Sequence, residues 1–345
     1  MNDEIVKKIG DCYSHLIGQS AAKKRRISAW SAYALGENPE SGFFRGAAGL
    51  GKTALMKADI KAARIAAEIR GEFASPNYYD SAGALRRNGE EFSVFMGKAL
   101  DSQSGSLFVY LDEMHELFPA TVQSAKIVQI VKGLTDSQRG DVRRVSFGDE
   151  GDVVRHASQV AFVCGTNFPH KVKDYDAIVS RLGGIDLDLY TTAELCEIAA
   201  LLAKKAGLTI NEETLAMMAR CGRGTARPVE KMIASAKREA VILGKHTLNR
   251  GEIVGIMRDL SLYPRGLARH EIIMLAMSEK DGYVKKQTVA TALAIETATV
   301  ADSLAFLQGT GFIHVQGSQF IITKEGRDYL ASIHAAKFAI PALSE

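Results

Sequence analysis

Proline is scarce in this sequence. Seven occur in 345 residues (Pro39, Pro76, Pro119, Pro169, Pro228, Pro264 and Pro341), which leaves room for long unbroken helices. The four cysteines, Cys12, Cys164, Cys196 and Cys221, show no Cys-x-x-Cys spacing. That argues against a disulfide framework or a thiolate metal site and reads as buried thiols in a reducing compartment. No apolar run approaches the roughly 20 residues that span a bilayer; the nearest, Ile198 to Ala203, is closed by Lys204 and Lys205. The N-terminus, MNDEIVKKIG, has no signal-peptide pattern, so the expectation is a cytoplasmic protein with no membrane partner. Neither sign of charge is in marked excess: 43 basic and 40 acidic residues leave +3. A case for nucleic acid must therefore come from local features. With 46% apolar and 24% charged residues the chain is neither disordered nor collagen-like, and its length predicts two or three domains.

The chain changes character along its length. A helical stretch at roughly 11–35 carries Lys23-Lys24-Arg25-Arg26 and ends at Gly36-Glu37-Asn38-Pro39. From about 42, short apolar strands (Gly42–Arg45, Leu107–Leu111, Val160–Cys164, Ile185–Leu189) alternate with helical patterns at 52–69, 85–100 and 119–133. Such alternation predicts an α/β unit with a largely parallel sheet. Two alternating stretches around Gly148-Asp149-Glu150-Gly151 predict a β-hairpin over 140–157. After Tyr190 the pattern is helical throughout, with Thr191 and Glu194 forming a capping box. Further helices are expected at 211–220, 226–243 and 250–260. Near Pro264 a last module begins, with helices at 267–278, 285–294 and 297–308 and a hairpin from 311 to 323; this describes a winged helix. The expected domains are 1–190, 191–262 and 263–345.

Gly46-Ala47-Ala48-Gly49-Leu50-Gly51-Lys52-Thr53 follows an apolar strand and opens a helix, as a phosphate-binding loop requires. Glycines let backbone N–H groups turn inward around phosphates, and the helix N-terminus adds partial positive charge. Gly46 and the run Gly49, Leu50, Gly51, Lys52, Thr53 and Ala54 would hold the nucleotide, with Lys52 on the β- and γ-phosphates. Thr53 would ligate Mg²⁺. About 60 residues on, Leu107–Leu111 ends in Asp112-Glu113. Asp112 would hold the Mg²⁺ shell through water and Glu113 would activate the attacking water. Asn167, at the end of another strand, would hydrogen-bond that water or the γ-phosphate. Trp30 and Tyr33, three apart, read as helix packing, and His115 reads as a supporting or core histidine.

The order of P-loop, Asp-Glu box, strand-end Asn, Ser180-Arg181 and an arginine at a lid helix resembles the AAA+ ATPases. Within them the chain is similar to the RuvB family of Holliday-junction branch-migration motors. That similarity rests on Leu16-Ile17-Gly18-Gln19, GLGKT at 49–53, Asp112–Leu117, Tyr190, Arg223-Gly224-Thr225-Ala226-Arg227 and Gly266-Leu267. It spans about residues 11–330. The resemblance implies an α/β P-loop AAA+ core, an all-α lid and a C-terminal winged helix. It also implies ATP and Mg²⁺ as cofactors and a homo-oligomeric, hexameric ring acting on double-stranded or junction DNA. It makes Arg181 a finger for the neighbouring subunit's site and Arg227 a γ-phosphate sensor, and it places Ile17 and Tyr190 beside the adenine. It makes hairpin 140–157 a docking site for a protein partner.

The chain departs from that family in two places. Ala47-Ala48 stand where it has paired prolines, and His314, Val315, Gln316, Gly317, Ser318 and Gln319 stand where it has DNA-contacting arginines. Residues 260–345 hold eight basic and eight acidic side chains. The better candidates for DNA contact are instead Lys23, Lys24, Arg25 and Arg26, which otherwise read as a solvated helix face, with Arg143 and Arg144 on the hairpin. Three functions follow: a DNA motor, a protein remodeller or loader with the winged helix as its dock, and an ATP switch that does not hydrolyse.

Overall fold

The computed structural model describes residues 2–72, 77–79, 106–117, 128, 131–132, 142–146, 152–156, 160–172 and 174–335. It divides into two compact units, Met1–Tyr190 and Thr191–Glu345. The helix expected at 85–100, most of that at 119–133 and the turn 148–151 lie outside the described residues.

The first unit opens with α1 (Asn2–Gly10) and α2 (Ser20–Ala34). The single helix expected from residue 11 is broken because Gly18 and Gln19 are both left-handed, with φ of 66° and 54°. Consecutive left-handed residues cannot propagate a right-handed helix. Then come β1 (Gly42–Arg45), α3 (Lys52–Arg70), β2 (Asn77–Tyr79) and β3 (Leu107–Leu111). An antiparallel hairpin of β4 (Val142–Ser146) and β5 (Asp152–His156) precedes β6 (Val160–Thr166), α4 (Tyr175–Leu182) and β7 (Gly184–Asp186). Strands β2, β3, β6, β1 and β7 lie in that order in one parallel sheet. Every residue of β3 and β6 is buried, as expected of parallel strands covered on both faces. Strand β7 is shorter than its apolar pattern, because the main chain at Asp188 pairs with the side chain of Gln19. Strand β2, three residues long, and helix α4, which buries Ile178, Val179 and Leu182, were not among the expected elements.

Around α3 the core contains a charged centre. Asp59, in an alanine-rich helix, accepts from Arg26 Nε and Nη2 at 2.9 and 3.0 Å. It also accepts from the Tyr13 and Tyr110 hydroxyls and the Trp30 indole. Arg26 and Asp59 are both 0% exposed. This corrects the expectation of a basic DNA-facing cluster: Arg26 is consumed in the core. Arg25 is held by Glu40 and by the Gly184 carbonyl, and Lys23 donates to the Leu16 carbonyl. Lys24 is exposed. Trp30 and Tyr33 pack edge-on against Phe108, as helix packing predicted.

The second unit begins with α5 (Thr192–Ala206), its Thr191–Glu194 capping box closed in both directions. Helices α6 (Glu212–Cys221), α7 (Arg227–Ile242) and α8 (Arg250–Asp259) follow. The last part comprises α9 (Arg269–Asp281), β8 (Val284–Lys285), α10 (Lys286–Leu293), α11 (Thr297–Gly309), β9 (Ile313–Gln316), β10 (Gln319–Ile322) and α12 (Lys324–Ala335). The hairpin gains β8 as a third antiparallel strand, in the order β8-β10-β9, and α12 extends the pattern beyond the sequence expectation. One apolar core runs from Ala199 to Ile333 through both sets of helices.

Candidate active site

All strands of the first sheet are parallel, so the carboxyl ends of β1, β3 and β6 share one edge. In open α/β sheets that edge is where ligands bind. Strand β1 runs into the loop 46–51, in which Gly46, Gly49 and Gly51 have φ of 147°, 84° and 86°. Gly51 is required twice over: it precedes α3 in a left-handed conformation, and a Cβ there would lie 2.7 Å from the Tyr190 hydroxyl. That hydroxyl donates to the Leu50 carbonyl at 3.1 Å. Ile17 is half-buried and Ala54 sits exposed in the first turn of α3. Lys52 folds back over the loop, its Nζ donating to the Gly46 and Ala47 carbonyls at 2.6 and 2.8 Å.

Across the edge, the Thr53 hydroxyl donates to Asp112 Oδ2 at 2.5 Å, and Glu113 N donates to Asp112 Oδ1 at 3.1 Å. Gly165 on the intervening β6 makes this approach possible. A Cβ there would stand 2.7 Å from Met56 Cε and 3.8 Å from Asp112 Oδ1. Glu113 has φ of 52°, a strained value for a side chain with a Cβ. Its carboxylate accepts from the Asn167 side-chain amide and, at 3.4 Å, from the Asn167 backbone N–H. His115 Nδ1 lies 3.3 Å from Glu113 Oε2 and 3.0 Å from Thr166 Oγ1. Its ring meets Phe168 edge-on. The histidine thus supports the acid, as its sequence context suggested. Asn167 Oδ1 is buried with no hydrogen-bond partner among the described residues.

The structure therefore brings Lys52, Thr53, Asp112, Glu113 and Asn167 together. Arg181 is outside this hydrogen-bond network, exposed on α4 with its guanidinium on the Ala177 carbonyl. Arg227 opens α7 in the second unit and is exposed. Arg143 and Arg144 lie on β4. Gln19 is a residue that pattern reading passed over. Its amide reproduces a backbone pair with Asp188 and reaches the Leu50 carbonyl at 3.4 Å, tying the P-loop to the segment after β7. Its signal was a polar residue held in a short apolar run, Leu16-Ile17-Gly18-Gln19.

Chemically, a hydroxyl and a carboxylate are hard oxygen donors of the kind Mg²⁺ takes alongside waters. A glycine loop at a helix N-terminus with a lysine ammonium suits a polyphosphate. A carboxylate paired with an amide whose oxygen is unpartnered suits the orientation of a water molecule.

No protein-family model matches the chain. Among curated proteins it is 26% identical over 284 residues to the "Holliday junction branch migration complex subunit RuvB" of Anaeromyxobacter sp. (strain K), covering 80% of this chain and 75% of that one. The RuvB subunit of Prochlorococcus marinus (strain NATL2A) is 25% identical over 331 residues, covering 92% and 85%. Among solved structures, the Thermotoga maritima RuvB Holliday junction branch migration motor superposes with a TM-score of 0.60 at 21% identity, over 94% of this chain and 97% of that one. The Aeropyrum pernix ORC2 protein has a TM-score of 0.52 at 15% identity, over 92% and 95%. These likenesses extend over both units: the chain resembles RuvB proteins, at about a quarter of identical residues, along most of its length.

Proposed function

We propose that the protein is a Mg²⁺-dependent ATPase that assembles into a homo-oligomeric, hexameric ring and moves double-stranded or branched DNA. The observation that carries this reading is the convergence of Lys52, Thr53, Asp112, Glu113 and Asn167 on one sheet edge, in a chain RuvB-like along most of its length. Mg²⁺ would supply charge neutralisation between the phosphates, held through Thr53 and, by way of water, Asp112. Gly46 and the amides of 49–54 cradle the phosphates, and Lys52 exchanges its carbonyl partners for phosphate oxygens. Glu113, steadied by Asn167 and His115, accepts the proton of the attacking water. Ile17 and Tyr190 border the base. Arg181 acts on the neighbour's nucleotide and Arg227 senses the γ-phosphate. Hairpin 140–157 serves as a protein-docking site, and the setting is cytoplasmic.

Lys52→Ala should abolish nucleotide binding. Glu113→Gln should bind normally and lose turnover by roughly 10²–10⁴. Mixing Arg181→Ala with Glu113→Gln protein should restore some activity, since complete interfaces form. The deciding measurement is ATPase rate with and without duplex or four-way junction DNA across a salt series. Stimulation that fades as salt rises is expected from counterion release. Absence of stimulation at low salt, with hydrolysis intact, sinks the DNA reading.

A protein-remodelling function is the second reading. It is favoured by one observation: strands β9 and β10 and the turn between them carry His314, Gln316 and Gln319 but no arginine or lysine. In that case a protein substrate, and not DNA, stimulates hydrolysis.

A further inference from the structure

Arg223 belongs to the lid motif that carries Arg227, yet its side chain faces the winged helix. It has a left-handed backbone, φ of 50°. One guanidinium nitrogen donates to both carboxylate oxygens of Glu271 on α9, at 2.9 and 3.0 Å. Its planar head lies 3.3 Å from the centroid of the Phe306 ring on α11. Glu271 is 1% exposed, and its Oε2 also accepts from Ala268 N at the start of α9. Buried from solvent, that carboxylate depends on Arg223 for its charge partner.

The connection between lid and winged helix is pinned at several points. Tyr263 and Leu267 are buried, at 6% and 0% exposure. Gly266, with φ of 79°, lies so close to α6 that a Cβ would stand 2.7 Å from the Cys221 carbonyl oxygen and 2.8 Å from Arg223 Cγ. The Tyr329 hydroxyl on α12 donates to the Pro264 carbonyl at 2.6 Å. Flexible linkers are solvated and poor in apolar contacts, which is the opposite arrangement.

We propose that Arg223 is a positioning residue that locks the lid and the winged helix into one rigid lever, so that the loop 222–227 carries a nucleotide sensor at one end and a clamp on the winged helix at the other. The rigidity follows from the contacts above. The coupling to nucleotide rests on the reading of Arg227 as a sensor. Glu271→Gln removes the charge but keeps an acceptor for Ala268 N, so the variant retains the start of α9.

The test uses the full chain with Cys196→Ser and spin labels at Ile242 in the lid and His314 in the wing, both exposed. In the wild type the label separation should be a single narrow distribution, the same with ADP and with a non-hydrolysable ATP analogue. In Glu271→Gln it should broaden, and in the doubly neutral Arg223→Gln/Glu271→Gln, which leaves no unpaired buried charge, it should broaden likewise. A wild-type distribution that is already broad or shifts with nucleotide overturns the lever. Narrow distributions in both variants overturn the clamp.

This readout needs neither hydrolysis nor DNA, so it stands apart from the motor reading. Where the wild type does move junction DNA, Glu271→Gln should keep basal ATP turnover within about threefold while DNA movement per ATP falls at least fivefold. An unchanged ratio refutes the coupling role of Arg223.

Discussion

The two units solve the problem of a stable interior in different ways. The first places a full ion pair, Arg26 and Asp59, at the centre of its core and surrounds it with three tyrosines and the chain's single tryptophan, of which Tyr13, Tyr110 and Trp30 donate to Asp59. The second is almost wholly apolar inside, and among its described residues the one buried charged side chain is Glu271 at the lid–wing junction. The difference shows where each unit needs definition. Asp59 lies seven residues beyond Lys52 on α3, and Tyr110 lies two before Asp112 on β3. The network thus fixes the spacing between the P-loop helix and the strand that ends in the acid pair. A buried polar network of this kind is costly unless every member is satisfied, and here Asp59 receives five hydrogen bonds.

Because Trp30 sits in that network, its fluorescence reports the first unit alone, while far-UV circular dichroism also registers the helices of the second. The comparison is sharpest when the ion pair is broken. Asp59→Asn leaves a buried guanidinium uncompensated and should cost about 3–5 kcal/mol, moving the Trp30 transition far below the remainder of the dichroism change. Coincident transitions in this variant would show that the units do not unfold separately. The converse variant is Gly266→Val, which forces a β-branched side chain into a left-handed position against the Cys221 carbonyl. A loss of about 1–3 kcal/mol is expected, seen by dichroism with the Trp30 midpoint unmoved.

Alkali should separate the units more gently. Burial, with the Asp59 charge next, holds the phenols of Tyr13 and Tyr110 well above their usual range, and burial pushes Tyr33 up to about 12. Protons retained by the folded phenols are lost by the unfolded ones from about pH 10. Their contribution is therefore intact below pH 10 and declines as pH rises through 12. A Trp30-monitored melting temperature that stays flat between pH 9 and 11.5 would contradict this. The smallest effect concerns thiols. Burial pushes Cys221 up to about 11 and raises Cys12, Cys164 and Cys196 as well, but Cys196 is only half-buried. A thiol reagent at neutral pH should modify Cys196 first and leave the other three until unfolding.

The elements read from sequence were those whose signal is local. The capping box of Thr191 and Glu194 sets the start of the first lid helix. The strand runs ending in Asp112-Glu113 and Asn167, and the glycine loop before Lys52, were equally visible. What escaped depends on long-range partners. Arg26 looks like one of four solvated cations until Asp59, 33 residues away, is placed beside it. Gln19 acquires meaning only from Asp188, 169 residues on. Strand β8 is two residues long, too short to show a period, and exists because β10 passes alongside. The break at Gly18-Gln19 was hidden because a helical apolar pattern continues across it.

The strand order also has a consequence for how the chain is made. Strand β1, which feeds the P-loop, pairs only with β6 and β7, at Gly42↔Val163 and Phe43↔Gly184 among others. Both partners are translated more than a hundred residues later. At roughly 5–20 residues per second a ribosome takes about 6–30 s to supply them. During that interval Phe43 and Phe44 have no sheet to join, and the nascent chain cannot shape the loop ahead of Lys52. Nascent chains arrested before Val160 should therefore fail to retain ATP, and the competence to do so should appear only once the segment around Asp186 has left the exit tunnel.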